Sequence, residues 1–249
     1  MKEVRYFFVP DASAHNELPN EEGQHATRVL RLEAGDEVFL MDGVGQFYRA
    51  VLTLVTQKRC LYEITETLPQ AKAWSGRIHL AIAPTKNIDR IEWIAEKCSE
   101  IGWDELSFLH CKFSERKTLR TDRIEKIIIS AVKQSRKGWK PTVNEMSPFH
   151  HFIENCSNHG RKYICHCYPE IARADFFNAI SNDESSLSGE DITVLVGPEG
   201  DFSIDEVRYA IDHGFKSVTL GNSRLRTETA GLSAVMMSQL ARRVCTGGI

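Results

Sequence analysis

The chain has 249 residues, 42% hydrophobic and 26% charged, with a net charge of −3. That composition excludes a disordered or collagen-like polypeptide and leaves an ordinary globular protein of one large or two smaller domains. No apolar run approaches the ~18 residues that span a bilayer, and the Tyr6-Phe7-Phe8-Val9 run is too short for a signal-peptide core, so a cytoplasmic protein is expected.

Residues 1–70 are β-rich. Gly35-Asp36-Glu37 leads into a strand over 38–41, Asp42-Gly43 supplies a turn, and strands over 46–55 and 60–64 follow with partial alternation. Short strands with tight turns suggest a small barrel. Inside it, 21–30 has the spacing of a short helix, with Ala26, Val29 and Leu30 on one side and His25, Arg28 and Arg31 on a polar face. The aperiodic stretch Leu68-Pro69-Gln70-Ala71-Lys72 marks a boundary between domains at 1–72 and 73–249.

Beyond residue 77 strands alternate with helices, the signature of a parallel sheet covered by helices. Strands are expected over 78–83, 106–110, 162–167, 192–196 and 217–220. Ile91, Ile94, Ala95, Cys98 and Ile101 recur at helical spacing, with Gly102 where a glycine stops the helix, and Asp122-x-x-Glu125 begins another. Between 112 and 140 ten Lys and Arg stand against three Asp and Glu. A solvated helix face is the ordinary account of such a run, and a phosphate-contacting patch is the functional one. The segment 181–191 is polar and acidic, as expected of a mobile loop. Ser203-x-x-Glu206 is a capping box with Phe202 and Val207 at the staple positions, and its helix ends at His213-Gly214. A helix of small residues closes the chain over 230–243.

P-loop, dinucleotide, zincin and serine-hydrolase motifs are all missing from the sequence. The seven cysteines, at 60, 98, 111, 156, 165, 167 and 245, form an odd set without a C-x-x-C pair, which suits reduced thiols. Cys165-His166-Cys167 on a strand would point Cys and His to opposite faces, so structural cysteines are expected there and no metal site.

Two segments carry the chemistry. In LVGPEGDF, 195–202, a buried strand ends in Gly197-Pro198-Glu199-Gly200 before the capped helix; an ordinary strand-to-helix turn and a ligand loop are equally compatible with it. In LGNSRLRTETAGLS, 220–233, a strand gives way to a loop holding Arg224, Arg226 and Glu228. Arg226 and Glu228 are compatible with a loop ion pair, but two glycine loops at neighbouring strand ends fit a cofactor slot beside a reacting centre.

LVGPEG and LGxxxLRTETA together resemble the RsmE family of SPOUT-superfamily RNA methyltransferases. The resemblance extends to His25-x-x-Arg28-Val29-Leu30-Arg31, to Lys86, Glu92, Lys97 and Glu100-Ile101-Gly102, to Ser114-Glu115-Arg116 and to Gln134-Ser135. Asp201 stands where the family has a second glycine, and Gln134-Ser135-Arg136-Lys137 where it has Gln-x-Gly-Arg.

The resemblance implies an α/β chain with an N-terminal PUA-like β-barrel (1–72) and a C-terminal SPOUT trefoil-knot methyltransferase domain (73–249). It implies a homodimer formed through the knotted domains with the cofactor in the knot loops; neither a metal nor a membrane is expected from the sequence. The implied activity is S-adenosylmethionine-dependent methylation of N3 of a uridine in 16S ribosomal RNA of the small subunit. A non-catalytic RNA-binding assembly factor, or a SPOUT enzyme acting on another base, are the alternatives. Gly197, Pro198, Glu199, Gly200, Leu220, Gly221, Leu225, Arg226 and Thr227 would hold the cofactor. Arg28, Arg31, Arg116, Arg120, Arg123, Lys133, Arg136 and Lys137 would meet RNA. Uridine N3 is a good nucleophile only without its proton, and Arg226 is expected to stabilise the uridinate through a two-pronged hydrogen bond. Glu228 would take the proton or orient Arg226, two roles left open.

Overall fold

The computed structural model describes residues 5–157, 159–181 and 189–245. The core of the expected loop over 181–191, residues 182–188, lies outside the described residues. The chain divides into two compact units, one of residues 1–73 with 129–140 and one of 74–128 with 141–249.

The first unit is a four-stranded sheet in the order β1 (Arg5–Phe8), β2 (Glu37–Met41), β3 (Gln46–Val55), β4 (Cys60–Pro69). β1 and β2 run parallel and the other pairs antiparallel. The outer edge of β4 is covered by the segment just after β1, where Leu18 N donates to Cys60 O at 2.9 Å and Tyr62 N to Asn16 O at 2.8 Å. The chain that forms edge strand β1 thus goes on to pair the backbone groups at the β4 edge. Phe7, Val38, Leu40, Ala50 and Leu52 fill the interior with no exposed surface.

The expected helix over 21–30 is in fact α1 (Asn20–Gln24) followed by a π-helical turn (His25–Val29), closed by Leu30 N donating to His25 O at 3.0 Å. The wider turn rotates later side chains off the helical face. Ala26 is buried as expected, but Val29 is 66% exposed.

The second unit holds seven parallel strands in the order β7-β6-β5-β10-β8-β11-β9. They are β5 (Ile78–Ile82), β6 (Glu105–His110), β7 (Thr142–Pro148), β8 (Arg161–Cys165), β9 (Ala174–Asp175), β10 (Ile192–Val196) and β11 (Lys216–Thr219). Between them lie α2 (Ile88–Ile101), α3 (Thr121–Gln134), α4 (Phe149–Asn155), α5 (Phe176–Ser181) and α6 (Ile204–Asp212), and α7 (Thr227–Cys245) follows β11. α3 runs from the second unit into the first. Among the described residues no helix is long and apolar enough to cross a membrane.

β5 and β10 are buried at every position, as central strands covered on both faces must be. Their register is continuous, with Val196 opposite Ile82 on one side and Cys165 on the other. α2 ends at Gly102, φ 118. α6 begins with the full capping box, Ser203 Oγ accepting from Glu206 N at 3.3 Å and Glu206 Oε2 from Ser203 N at 2.8 Å. The staple residues Phe202 and Val207 are both fully buried.

Candidate active site

Strand β10 is rigid because it is buried and paired on both sides, so it delivers the residues after Val196 to a fixed place. The loops that leave β8, β10 and β11 at their carboxyl ends wall a cavity of about 770 Å³. This is where ligands of open α/β sheets gather. Eight of the nine residues expected to hold a cofactor line it: Gly197, Pro198, Glu199, Leu220, Gly221, Leu225, Arg226 and Thr227. Gly200 does not line it; it packs on Phe113, whose Cβ would lie 3.2 Å from a Cβ at position 200.

A Cβ at Gly197 would stand 2.9 Å from Phe202 N, so only glycine lets the 197–202 turn fold back on itself. Gly221 has φ +122, and nothing lies within 4 Å of the Cβ it lacks. A side chain there would be strained and would project into open cavity space. Such a cradle, with apolar Leu220, Leu225 and Val218 and small Ala230 nearby, fits the adenine and ribose of S-adenosylmethionine.

The charge around the cavity is predominantly positive. Arg90, Arg173, Arg224 and Arg226 line it against Glu199 and Asp201. Glu199 Oε1 accepts from Lys86 N at 3.0 Å. Arg173 Nη1 donates to His166 O at 2.8 Å. Arg226 is exposed, and its guanidinium has no side-chain or backbone partner among the described residues.

Glu228 sits in the first turn of α7 and is 9% exposed. Its Oε1 lies 3.6 Å from Arg90 Nε, so the carboxylate pairs with Arg90 and not with Arg226. Its Oε2 is buried without a hydrogen-bond partner. A buried carboxylate oxygen in that state is costly unless a ligand or proton completes it.

The cavity also contains residues that sequence reasoning passed over. The strand expected over 162–167 stops at Cys165, so His166 and Cys167 turn into the cavity wall. His166 Nε2 lies 2.6 Å from Ser217 Oγ, and burial lowers its basicity. Cys165 is buried, which pushes its thiol up, while Cys167 is exposed. Among the described residues no three His, Cys, Asp or Glu side chains gather as metal ligands.

The basic stretch is largely committed to the protein itself. Arg116 donates from Nε to Thr85 O at 3.0 Å and from Nη2 to Lys86 O at 2.6 Å. Arg120 pairs with Asp122 at 2.9 Å and Arg123 with Glu92 at 2.6 Å. Lys133 Nζ sits 2.6 Å from Glu22 and over the Phe7 ring, and the Arg136 guanidinium lies 5.3 Å from the centre of the Tyr6 ring. Arg28 and Arg31 are exposed with no partner among the described residues, and Lys137 is engaged within the protein.

The family described as RNA methyltransferase domain matches residues 72–239, and the RNA methyltransferase PUA domain matches 18–65. The ribosomal RNA small subunit methyltransferase E of Rickettsia conorii is 26% identical over 92% of this chain and 91% of its own. That of Bacillus subtilis is 25% identical over 93% and 94%. A probable rRNA-methyltransferase from Porphyromonas gingivalis superposes with a TM-score of 0.87 at 38% identity, covering 97% of this chain and 99% of that one. The methyltransferase E of Neisseria gonorrhoeae, solved bound to S-adenosylmethionine, gives 0.82 at 25% identity over 96% and 98%. The chain belongs to the RNA methyltransferase family, in its small subunit methyltransferase E (RsmE) branch, with the SPOUT fold and a PUA-like domain at its N-terminus.

Proposed function

We propose that this protein methylates N3 of a uridine in 16S ribosomal RNA, with S-adenosylmethionine held by the loops 196–199 and 219–227. The observation that carries this reading is Arg226, an unpaired guanidinium on the wall of the glycine-lined cavity. The bound cofactor supplies an electrophilic methyl group on a sulfonium. Arg226 donates to the oxygens of uracil that gain charge as N3 loses its proton. Glu228, held through Oε1 by Arg90, lies behind the cavity wall with Oε2 buried and unpartnered, so it takes that proton only once substrate binding opens a path to Oε2. Residues 197–199 and 220–225 hold the reactants in line, and alignment is the larger part of catalysis when the donor needs no activation.

Residues 1–72 form the PUA-like RNA-binding domain in this reading, with Arg28 and Arg31 contacting phosphates. Residues 73–249 carry the reaction and the knot that the family resemblance implies. The protein acts in the cytoplasm as a homodimer formed through the methyltransferase domain. Trp93 on α2 and Met236 and Val244 on α7, which are 41%, 47% and 43% exposed, support such an interface.

The test is to map modified bases in ribosomal RNA from a strain lacking the gene and from its parent. N3 methylation blocks the Watson–Crick edge and stops reverse transcription. A stop in the parent that vanishes in the deletion supports the reading, and identical stop patterns end it.

A further inference from the structure

The turn after β10 holds a carboxylate whose two oxygens are both used. Asp201 adopts φ 68, a left-handed conformation that Asp tolerates and glycine adopts freely. Its own N–H donates to Pro198 O at 2.9 Å and closes the turn. Oδ1 accepts from Phe202 N at 2.8 Å, and Oδ2 accepts from Cys167 N at 2.8 Å.

The second of these bonds crosses between loops. β8 and β10 are paired neighbours, with Cys165 opposite Val196, and the ladder stops where their loops begin. Past that point the described hydrogen bonds between the two loops are Cys167 N to Asp201 Oδ2 and Tyr168 Oη to Phe202 O, the latter at 2.8 Å. The 166–173 segment is braced in turn by Tyr168 N donating to His166 Nδ1 at 3.2 Å and by Arg173 on His166 O. Both loops wall the cavity. With no carboxylate at 201, Cys167 N–H would lose its acceptor, and of the hydrogen bonds among the described residues only that of Tyr168 would still join the two walls.

We propose that Asp201 is a clasp across the methyl-donor cavity, a positioning residue that fixes the 165–168 and 196–202 loops at the separation the cofactor needs. The ligand's identity rests on the methyltransferase reading above, and the clasp itself does not. The clasp also touches a reporter. Cys167 is exposed at the cavity wall, and partial desolvation of its sulfur, followed by the Asp201 charge, pushes its thiol up. Removing the carboxylate frees the loop and eases thiol ionisation, and both changes speed alkylation.

The experiment uses the full chain with Asp201→Gly and Asp201→Asn. Glycine suits the positive φ, so the variant is expected to fold, and near-ultraviolet circular dichroism checks that it has. Calorimetry with S-adenosylmethionine should show about tenfold weaker binding in Asp201→Gly, the loss expected when a charge-assisted hydrogen bond no longer preorganises the site. Asp201→Asn keeps one acceptor and should fall between. The Michaelis constant for cofactor should rise while turnover at saturation stays within about twofold, because Asp201 is not proposed to touch the reacting atoms. Independently, N-ethylmaleimide should modify Cys167 in the ligand-free Asp201→Gly protein about fivefold faster than in the parent, as read by peptide mass. Unchanged cofactor affinity in a folded Asp201→Gly variant would overturn the positioning role. Unchanged Cys167 alkylation would overturn the clasp whatever the ligand. If the parent itself bound no S-adenosylmethionine, the methyltransferase reading would fail while the alkylation comparison still decided the clasp.

Discussion

A guanidinium left unpaired at the wall of a cavity has no structural task, and for Arg226 that sharpens the expected phenotype. Arg226→Ala keeps the backbone that walls the cofactor cavity and removes only the guanidinium assigned to the uracil, so it should leave cofactor affinity nearly intact and lower kcat by about 10²–10³, the cost of removing one donor to a developing anion. The substrate N3 should also be harder to ionise without it, so the rate of the variant should keep climbing at alkaline pH where the parent has levelled off. Single-turnover methylation across pH separates this from a scaffold role, in which the profile merely scales down. Gly221→Val should behave in the opposite way. It forces a branched residue into φ +122 and fills the cradle, so cofactor affinity should collapse in calorimetry, and unchanged affinity would remove this loop from the site. His79 provides a residue-scale effect on stability. It is buried in β5 with Nε2 2.8 Å from Ser107 Oγ, and burial, opposed by Glu105 and assisted by Arg77, lowers its pKa to about 4. The unfolded chain protonates near 6.5 while the folded protein stays neutral, so stability is full above about pH 6.5 and falls as pH drops towards 4, by about 3 kcal/mol at most. Urea denaturation should show this decline, and His79→Gln should flatten it. An equal decline in both proteins would place its source elsewhere.

The elements show that much of the strongly basic stretch is paired within the protein. Arg123 on α3 reaches Glu92 on α2, Arg116 caps carbonyls of 85–86, and Lys133 meets Glu22. These partners lie 30 to 111 residues away in sequence, so no local pattern marks them. Replacing Arg28 and Arg31 with Gln should flatten the salt dependence of RNA binding by about 0.7 log units per lost phosphate contact. Arg123→Gln should change that slope much less, and a slope altered equally by all three would restore the basic stretch to the interface. What could be read in advance follows the same division between local and distant causes. β10 is an apolar run bounded by a glycine turn, and α6 carries its capping box within four residues, so both are legible. β7 is an edge strand with partly exposed side chains, β9 has two residues, and α4 starts after Pro148 without a side-chain cap, so none leaves a clear periodic signal. The cavity loops of 197–199 and 220–227 announce themselves through glycine and charge. Cys167 and Arg90 do not, since the first depends on β8 ending two residues early and the second on α2 packing beside α7.

At the scale of the molecule, the unsolved cost is apolar surface on the helices that cover the sheet. α2 and α7 pack against each other, yet Trp93, Met236 and Val244 remain exposed. Scattered exposed apolar residues are common, but three large ones on two adjoining helices support the interface between two copies proposed above. Because a two-fold interface repeats each residue, one charged substitution enters it twice. Met236→Glu should therefore shift the protein from dimer to monomer in sedimentation velocity at micromolar concentration, with Trp93→Glu acting in the same direction. Neither residue lines the cavity, so a monomeric variant that still bound S-adenosylmethionine would show a site complete within one chain. Loss of cofactor binding together with the dimer, in a variant whose circular dichroism is unchanged, would instead mean that association holds the loops of 197–199 and 220–227 in place. Two variants that remained dimeric would move the interface off these helices.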